Sequence, residues 1–180
     1  GLSKLEGERA LIKAAETHKM NWVILRSPLV YGEGVKGNFL TLMRAINNGW
    51  ILPFGAIRNR RSLIFSENLA EAIVCAATQK TTSGTYYVTD GTAVSTPELV
   101  TSIAKALDRS ARLLRISPTL LRLVGGGLGR SKEIERLLED LEFDNAEFMH
   151  ETNWAPTHTM AEGLVKTANW YKNILEKGSR

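Results

Sequence analysis

A short apolar run that turns abruptly into a glycine-rich loop constrains this chain more than any other stretch. Trp22, Val23, Ile24 and Leu25 are apolar without alternation, the pattern of a strand buried on both faces of a parallel sheet. Arg26, Ser27 and Pro28 end the run, Gly32, Gly34 and Gly37 follow, and a helical pattern then resumes. Open α/β sheets bind ligands in the crevice at the carboxyl ends of their strands. The stretch therefore reads either as the wall and mouth of a small-molecule site or as a strand followed by an ordinary glycine turn.

Composition narrows the partners. The 180 residues suffice for a core that buries roughly 70% of the unfolded surface. The net charge of +4 is mild, and the basic residues are dispersed apart from Arg58, Arg60 and Arg61. A discrete site for a phosphorylated small ligand fits this better than a nucleic-acid-tracking stripe, so no nucleic acid is expected. No apolar run approaches the ~20 residues that span a bilayer, so no membrane partner is expected. The lone cysteine, Cys75, rules out an internal disulfide framework and suits a reducing, cytoplasmic setting. His18, His150 and His158 lack metal-ligand spacing, and no metal is expected.

Helices alternate with short strand-like pieces along the chain. Residues 3–18 read as a helix capped by Ser3, with Glu6 three positions on as a capping box and Leu5, Ala10, Leu11, Ala14 and Ala15 on its inner face. Its abrupt start suggests a piece of a longer protein. Further helices are expected over 39–48, from a capping Ser66 to about 78 (inner face Leu69, Ala72, Ile73, Ala76 and Ala77), from Ser95 with Pro97 in the first turn, over 118–128 with loosening at Gly125, Gly126 and Gly127, over 131–138, from a capping Asp144, and over 157–176. Strands are expected over 62–65 and 85–89, and one is allowed over 112–116. The turn expected over 81–84 separates two of these. The fold class is α/β, with helices dense toward the C-terminus.

The residues alone supply no complete catalytic set. Four stretches, in order, nevertheless resemble the C-terminal half of extended short-chain dehydrogenases/reductases of the nucleotide-sugar epimerase/dehydratase branch. Ser3-Lys4-Leu5-Glu6-Gly7-Glu8 resembles the segment at and after the lysine of the Tyr-x-x-x-Lys signature. Leu25-Arg26-Ser27-Pro28-Leu29-Val30-Tyr31-Gly32 resembles the Arg-Pro-x-x-x-Tyr-Gly segment. Arg61-Ser62-Leu63-Ile64-Phe65-Ser66-Glu67-Asn68-Leu69-Ala70 resembles an Arg-Asp-Phe-x-x-Val-x-Asp-x-Ala run. Asn153-Trp154-Ala155-Pro156, Gly163-Leu164 and Trp170-Tyr171 resemble the closing Gly-Trp-x-Pro, Glu-Gly-Leu and Trp-Tyr pattern. Ser62 and Asn68 stand where the family has aspartates, and the signature tyrosine would precede Gly1.

The resemblance implies a Rossmann-like doubly wound sheet, contributed by residues 1–30 and 62–90. It also implies a small, mainly helical substrate-binding part, 31–61 and 91–160, and a closing helix over 161–180. It implies NAD or NADP in the full-length parent, with none expected on this portion alone. Lys4 would hydrogen-bond the nicotinamide ribose and, as an ammonium, favour the phenolate of the missing tyrosine. Pro28, Leu29 and Val30 would pass beside the nicotinamide, or pack a strand end. Tyr31 would line the site or cap the core. Asn38 would contact a nucleotide-sugar near its pyrophosphate or, equally, cap a helix. Arg61 would grip the pyrophosphate through bidentate charge-assisted bonds, with Arg58 and Arg60 as spares and Arg136 as a second phosphate arginine. Leu52, Pro53 and Phe54 would form an apolar shelf for uracil or pack the core. Trp154, Trp170 and Tyr171 are read as core.

The expected function is the substrate-binding half of a bacterial-type nucleotide-sugar 4-epimerase acting on a UDP-sugar. The alternatives are an NADPH-dependent 4-keto reductase or dehydratase and, in another class, a non-catalytic anion-binding or assembly module. A strand at 22–25 that has lost the sheet neighbours the family places beside it implies a homodimer or other self-association through its exposed edge.

Overall fold

The computed structural model describes residues 2–79, 82–127, 129 and 131–178. In chain order the elements are α1 (Leu2–His18), β1 (Val23–Arg26), β2 (Leu29–Tyr31), α2 (Gly37–Asn47), β3 (Leu63–Phe65), α3 (Ser66–Thr78), β4 (Gly84–Tyr87), α4 (Thr96–Ala106), α5 (Pro118–Gly127), α6 (Ser131–Leu138), α7 (Ala146–Thr152) and α8 (Met160–Gly178). The strands form two parallel ladders. β1 pairs with β4, Val23 opposite Gly84, and β2 pairs with β3, Leu29 opposite Leu63.

The period-two alternation of a strand explains how β3 joins two cores. Leu63 and Phe65 face one cluster with Tyr31, Phe39, Met43, Val100, Ile103 and Leu164, contributed by β2, α2, α4 and α8. Ile64, between them, faces another with Ala72, Tyr86, Val88, Phe148 and Trp154. All three β3 residues are buried, which is why this strand reads as an uninterrupted apolar run. Two glycines let neighbouring elements approach. A Cβ on Gly32, whose φ is +145°, would meet Ser66 Oγ at 2.1 Å, and one on Gly163 would meet Tyr31 Oη at 2.8 Å and the Phe65 ring at 2.9 Å.

Several local expectations hold in detail. Ser95 caps α4 through a capping box: its hydroxyl accepts from Glu98 N–H and its own N–H donates to Glu98 Oε2 at 2.7 Å. Tyr171 and Trp154 are buried, and Trp170 packs partly buried against the first cluster.

Others are corrected. Helix α1 begins at Leu2, so Ser3 lies inside its first turn and not at a cap. Of the predicted inner face of α1 only Ala15 is buried, and Leu5 and Leu11 stay exposed. Helix α1 is tied down instead by charge, Arg26 Nε and Nη2 donating to Glu8 Oε1 and Oε2 at 3.1 and 2.6 Å. Ile73 and Ala77 of α3 are likewise exposed. The chain re-enters a ladder as β2 directly after Pro28, before the glycines and where only the end of a strand was expected; a β-branched and aromatic pair, Val30 and Tyr31, favours the extended form there. Helix α5 continues through Gly127 without loosening, because Gly125 lets α6 pack close: a Cβ there would meet Ile134 Cγ1 at 2.5 Å. Residues 112–116 form no strand, only a bridge of Leu113 to Leu52. Ser66 begins α3 but does not cap it. Asp144 Oδ1 accepts from Ala146 N–H at 2.8 Å, while Asn145 occupies the cap position of α7. The expected turn over 81–84 and the helix end at Leu128 fall partly on residues 81 and 128, which lie outside the described residues.

Candidate anion-binding site

The basic loop 58–61 lies against residues 136–143 along its length. Leu141 N–H donates to Arg60 O at 2.8 Å and Ser62 N–H donates to Leu141 O at 2.9 Å. Arg60 N–H donates to Asp140 Oδ1 at 2.7 Å, and Phe143 N–H donates to Ser62 Oγ at 3.0 Å. On the other side Arg61 and Val94 exchange backbone hydrogen bonds of 2.9 and 3.0 Å. The loop is therefore wedged between the approach to α4 and the exit from α6.

Within this frame the Arg61 guanidinium donates to the main-chain carbonyl of Arg136. The two arginines singled out for phosphate contact, distant in sequence, thus meet at the C-terminal turn of α6. Half-burial pulls Arg61 below the ordinary arginine value, and the nearby Glu139 carboxylate opposes that shift; a guanidinium stays charged through such a shift. Arg136 is exposed on α6. Arg60 is committed elsewhere, in an exposed bidentate pair with Glu142 at 3.0 and 3.2 Å, so it is no spare for Arg61. Arg58 is exposed and, with Arg115, Gly55 and Ala56, lines a shallow concavity of about 210 Å³.

Register links this loop to the first stretch. Leu63 stands opposite Leu29 in a parallel ladder, so the loop enters β3 from the end at which β1 has stopped and Pro28 turns the chain. Leu29 is exposed and Pro28 and Val30 are half-buried, leaving this strand entrance accessible. Tyr31 belongs to the core. It is 1% exposed, its ring stacks on Phe39, and its hydroxyl donates to Asp90 Oδ2 at 2.8 Å. Burial first, then the Asp90 carboxylate, pushes this phenol far above its ordinary value. Asp90 also accepts from Phe65 N–H at 2.9 Å and from Asn68 Nδ2 at 2.7 Å, so Asn68, standing for a family aspartate, serves as a buried strut.

Asn38 is the second residue of α2, after a Lys36 cap position, and is exposed; the helix-cap alternative does not hold. Leu52 is buried in the first cluster and Phe54 packs partly buried against it, so the proposed shelf is chiefly core, with Phe54 its accessible end. Lys4 is exposed on α1. Another concavity lies elsewhere, an open groove of about 750 Å³ along β1 and α3 lined by Trp22, Val23, Leu25, Leu69, Ile73 and Ala76 among others.

Sequence reasoning passed over Asn59 and Glu139. Asn59 is 4% exposed and hydrogen-bonded at both ends of its amide, and its only sequence signal is an amide inside an otherwise basic loop.

Comparison with known proteins bears on the family and the fold. The model of the NAD dependent epimerase/dehydratase family matches residues 1–89. A UDP-glucose 4-epimerase of Vibrio cholerae is 39% identical over 170 residues, 93% of this chain and 52% of that protein. Among solved structures, the UDP-N-acetylglucosamine 4-epimerase from Bacillus cereus superposes with a TM-score of 0.76 at 16% identity, over 96% of this chain and 55% of that one. The Bordetella bronchiseptica enzyme WbmF, in complex with NAD+ and UDP, gives 0.75 at 21% identity, over 98% and 53%. At these identities the structural likeness establishes the Rossmann-like epimerase fold. The chain spans about half the length of the curated relatives it matches. Among the described residues no helix is long and apolar enough to cross a membrane. Through residues 1–89 the chain belongs to the NAD dependent epimerase/dehydratase family.

Proposed function

We propose that this chain is the nucleotide-sugar-gripping portion of an NAD(P)-dependent UDP-sugar 4-epimerase. The observation that carries the reading is the meeting of Arg61 and Arg136 at the end of α6, beside the entrance to β3. The Arg61 guanidinium at this carbonyl-lined edge, with the exposed Arg136 carried by the same helix end, suits a diphosphate, which offers oxygens to both. Arg136, exposed, makes the first contact. Arg61 turns from the Arg136 carbonyl to the ligand, exchanging a neutral acceptor for a charged one. Asn38, exposed at the start of α2, supplies an amide near the helix N-terminus, where the helix dipole also favours an anion. Phe54 offers the nucleobase an apolar edge. On this reading residues 31–61 and 91–160 bind the substrate, and residues 1–30 and 62–90 belong to the sheet layer.

The residues on this chain that would meet a dinucleotide lie on the nicotinamide side: Lys4 and the accessible Pro28, Leu29 and Val30 would hold the nicotinamide ribose and ring. NAD, when bound, supplies the hydride acceptor. This chain's own part is to bind the nucleotide, orient the sugar toward the Pro28–Val30 edge (residues 28–30), and place the Lys4 ammonium where it favours an ionised neighbour. The open groove along β1 and α3, apolar and lined by exposed Ile73, supports a further layer or a second copy packing there.

Calorimetric titration with UDP-glucose tests the reading. The chain binds with measurable heat, and Arg61→Ala weakens binding by about tenfold or more. Absence of heat from the unsubstituted chain overturns it.

A further inference from the structure

We infer that Asn59 is the positioning residue that holds Arg61 and Arg136 together as one anion site; this rests on the proposed nucleotide-sugar reading. The carboxamide is nearly fully buried and works at both ends. Its Oδ1 accepts from Thr96 N–H at 2.9 Å and from Thr96 Oγ1 at 3.0 Å, fastening the loop to the start of α4. Its Nδ2 donates to Leu137 O at 2.9 Å. The next carbonyl back, that of Arg136, takes the Arg61 guanidinium. Two consecutive carbonyls of the α6 C-terminal turn, a place where helix carbonyls lack partners within the helix, are thus both satisfied by side chains of one short loop.

Helix α6 needs such a hold. None of its residues is fully buried, and its main packing partner is α5 through the Gly125–Ile134 approach. Apolar burial therefore does little to fix its rotation against the loop. Arg61 cannot fix it alone, because its guanidinium must leave the Arg136 carbonyl to reach a ligand. Asn59 has no such second task. It keeps the α6 end in register while Arg61 moves, so that Arg136 is already in place when the diphosphate arrives. A buried amide donor or acceptor left without its partner is costly, which makes this register well determined.

The two ends of the amide can be separated. Asn59→Asp keeps an acceptor for Thr96 and loses the donor to Leu137 O; Asn59→Leu keeps the shape, adds no charge and loses both ends. Thr96→Val removes one bond at the acceptor end and leaves the α6 contact intact. Each variant of the 180-residue chain is titrated with UDP, and amide hydrogen exchange is followed by residue. Asn59→Asp and Asn59→Leu are expected to weaken UDP binding about tenfold and to speed exchange in α6 by at least as much, with β1 and β4 unchanged. Thr96→Val is expected to lower the melting temperature and leave UDP affinity within about twofold. Unchanged UDP affinity in a folded Asn59 variant, or α6 exchange equal to that of the unsubstituted chain, overturns the assignment. Failure of the unsubstituted chain to bind UDP sinks the nucleotide-sugar reading instead, and the exchange rates of α6 then decide the role of Asn59 by themselves.

Discussion

The Arg61 guanidinium and the Arg136 carbonyl are hydrogen-bonded across 75 residues of sequence. With the Asn59–Leu137 bond, that contact ties a loop leading into a core strand to the end of a helix with no fully buried residue. In the free chain it keeps a half-buried cation satisfied.

The contact between α8 and the strands leaves no room for a methyl group at residue 163. Gly163→Ala would press on Tyr31 Oη and the Phe65 ring at 2.8 and 2.9 Å, and both partners are themselves buried. Overpacking of this kind costs about 1–3 kcal/mol. Chemical denaturation is expected to show that loss with an unchanged slope; stability equal to the parent chain would mean that α8 shifts freely.

Tyr31 contributes stability only while it is neutral. Its folded-state value is raised above the ordinary 10.0 by burial and by Asp90, so its contribution is complete below that pH and lost as pH rises through the unfolded and toward the folded value. Tyr31→Phe loses a hydrogen bond worth about 1–2 kcal/mol at neutral pH but escapes the alkaline loss. Melting curves at pH 7 and 10.5 are expected to show the gap between the two chains narrowing. A constant gap would contradict the assignment.

Glu8 shows the opposite sign. Its hydrogen bonds from Arg26, and the Arg26 charge, hold its carboxyl below the ordinary 4.5. The tie between α1 and β1 is therefore present above that pH and lost as pH falls through the depressed value. Exchange of α1 amides is expected to rise selectively at low pH, and Glu8→Gln is expected to show that rise already at pH 7. Exchange in α1 that is insensitive to both changes would remove the ion pair from the account.

How much of this was legible in the sequence depends on which interaction decides each element. Helix α4 was legible because its signals are local: Ser95, Pro97 and Glu98 stand next to the groups they satisfy. The apolar run 63–65 was legible because burial on both faces leaves no polar position in it. The inner face of α1 was misread because periodicity reports an apolar stripe and not whether anything covers it. Strand β2 was missed because Pro28 looks like an end, while its pairing with β3 is decided 34 positions away, from Leu29 to Leu63. Arg61 and Arg136 were each visible as residue types, but their meeting rests on Asn59, whose partners, Thr96 and Leu137, lie far along the chain.

The groove along β1 and α3 leaves Ile73 exposed beside Trp22 and Leu25. Exposed apolar surface next to a strand edge favours association. Light scattering is expected to show concentration-dependent self-association, suppressed by Ile73→Glu without a change in melting temperature. A monomer at all concentrations would contradict this.

The central claim is that Arg61 and Arg136 grip one diphosphate. A double-mutant cycle on UDP binding, with Arg61→Ala, Arg136→Ala and both together, tests it directly. Each single change is expected to cost about tenfold, ~1.4 kcal/mol, and the double less than the sum, because the two guanidiniums share one ligand and one helix end. Two neutral substitutions, or strictly additive losses, would contradict the account.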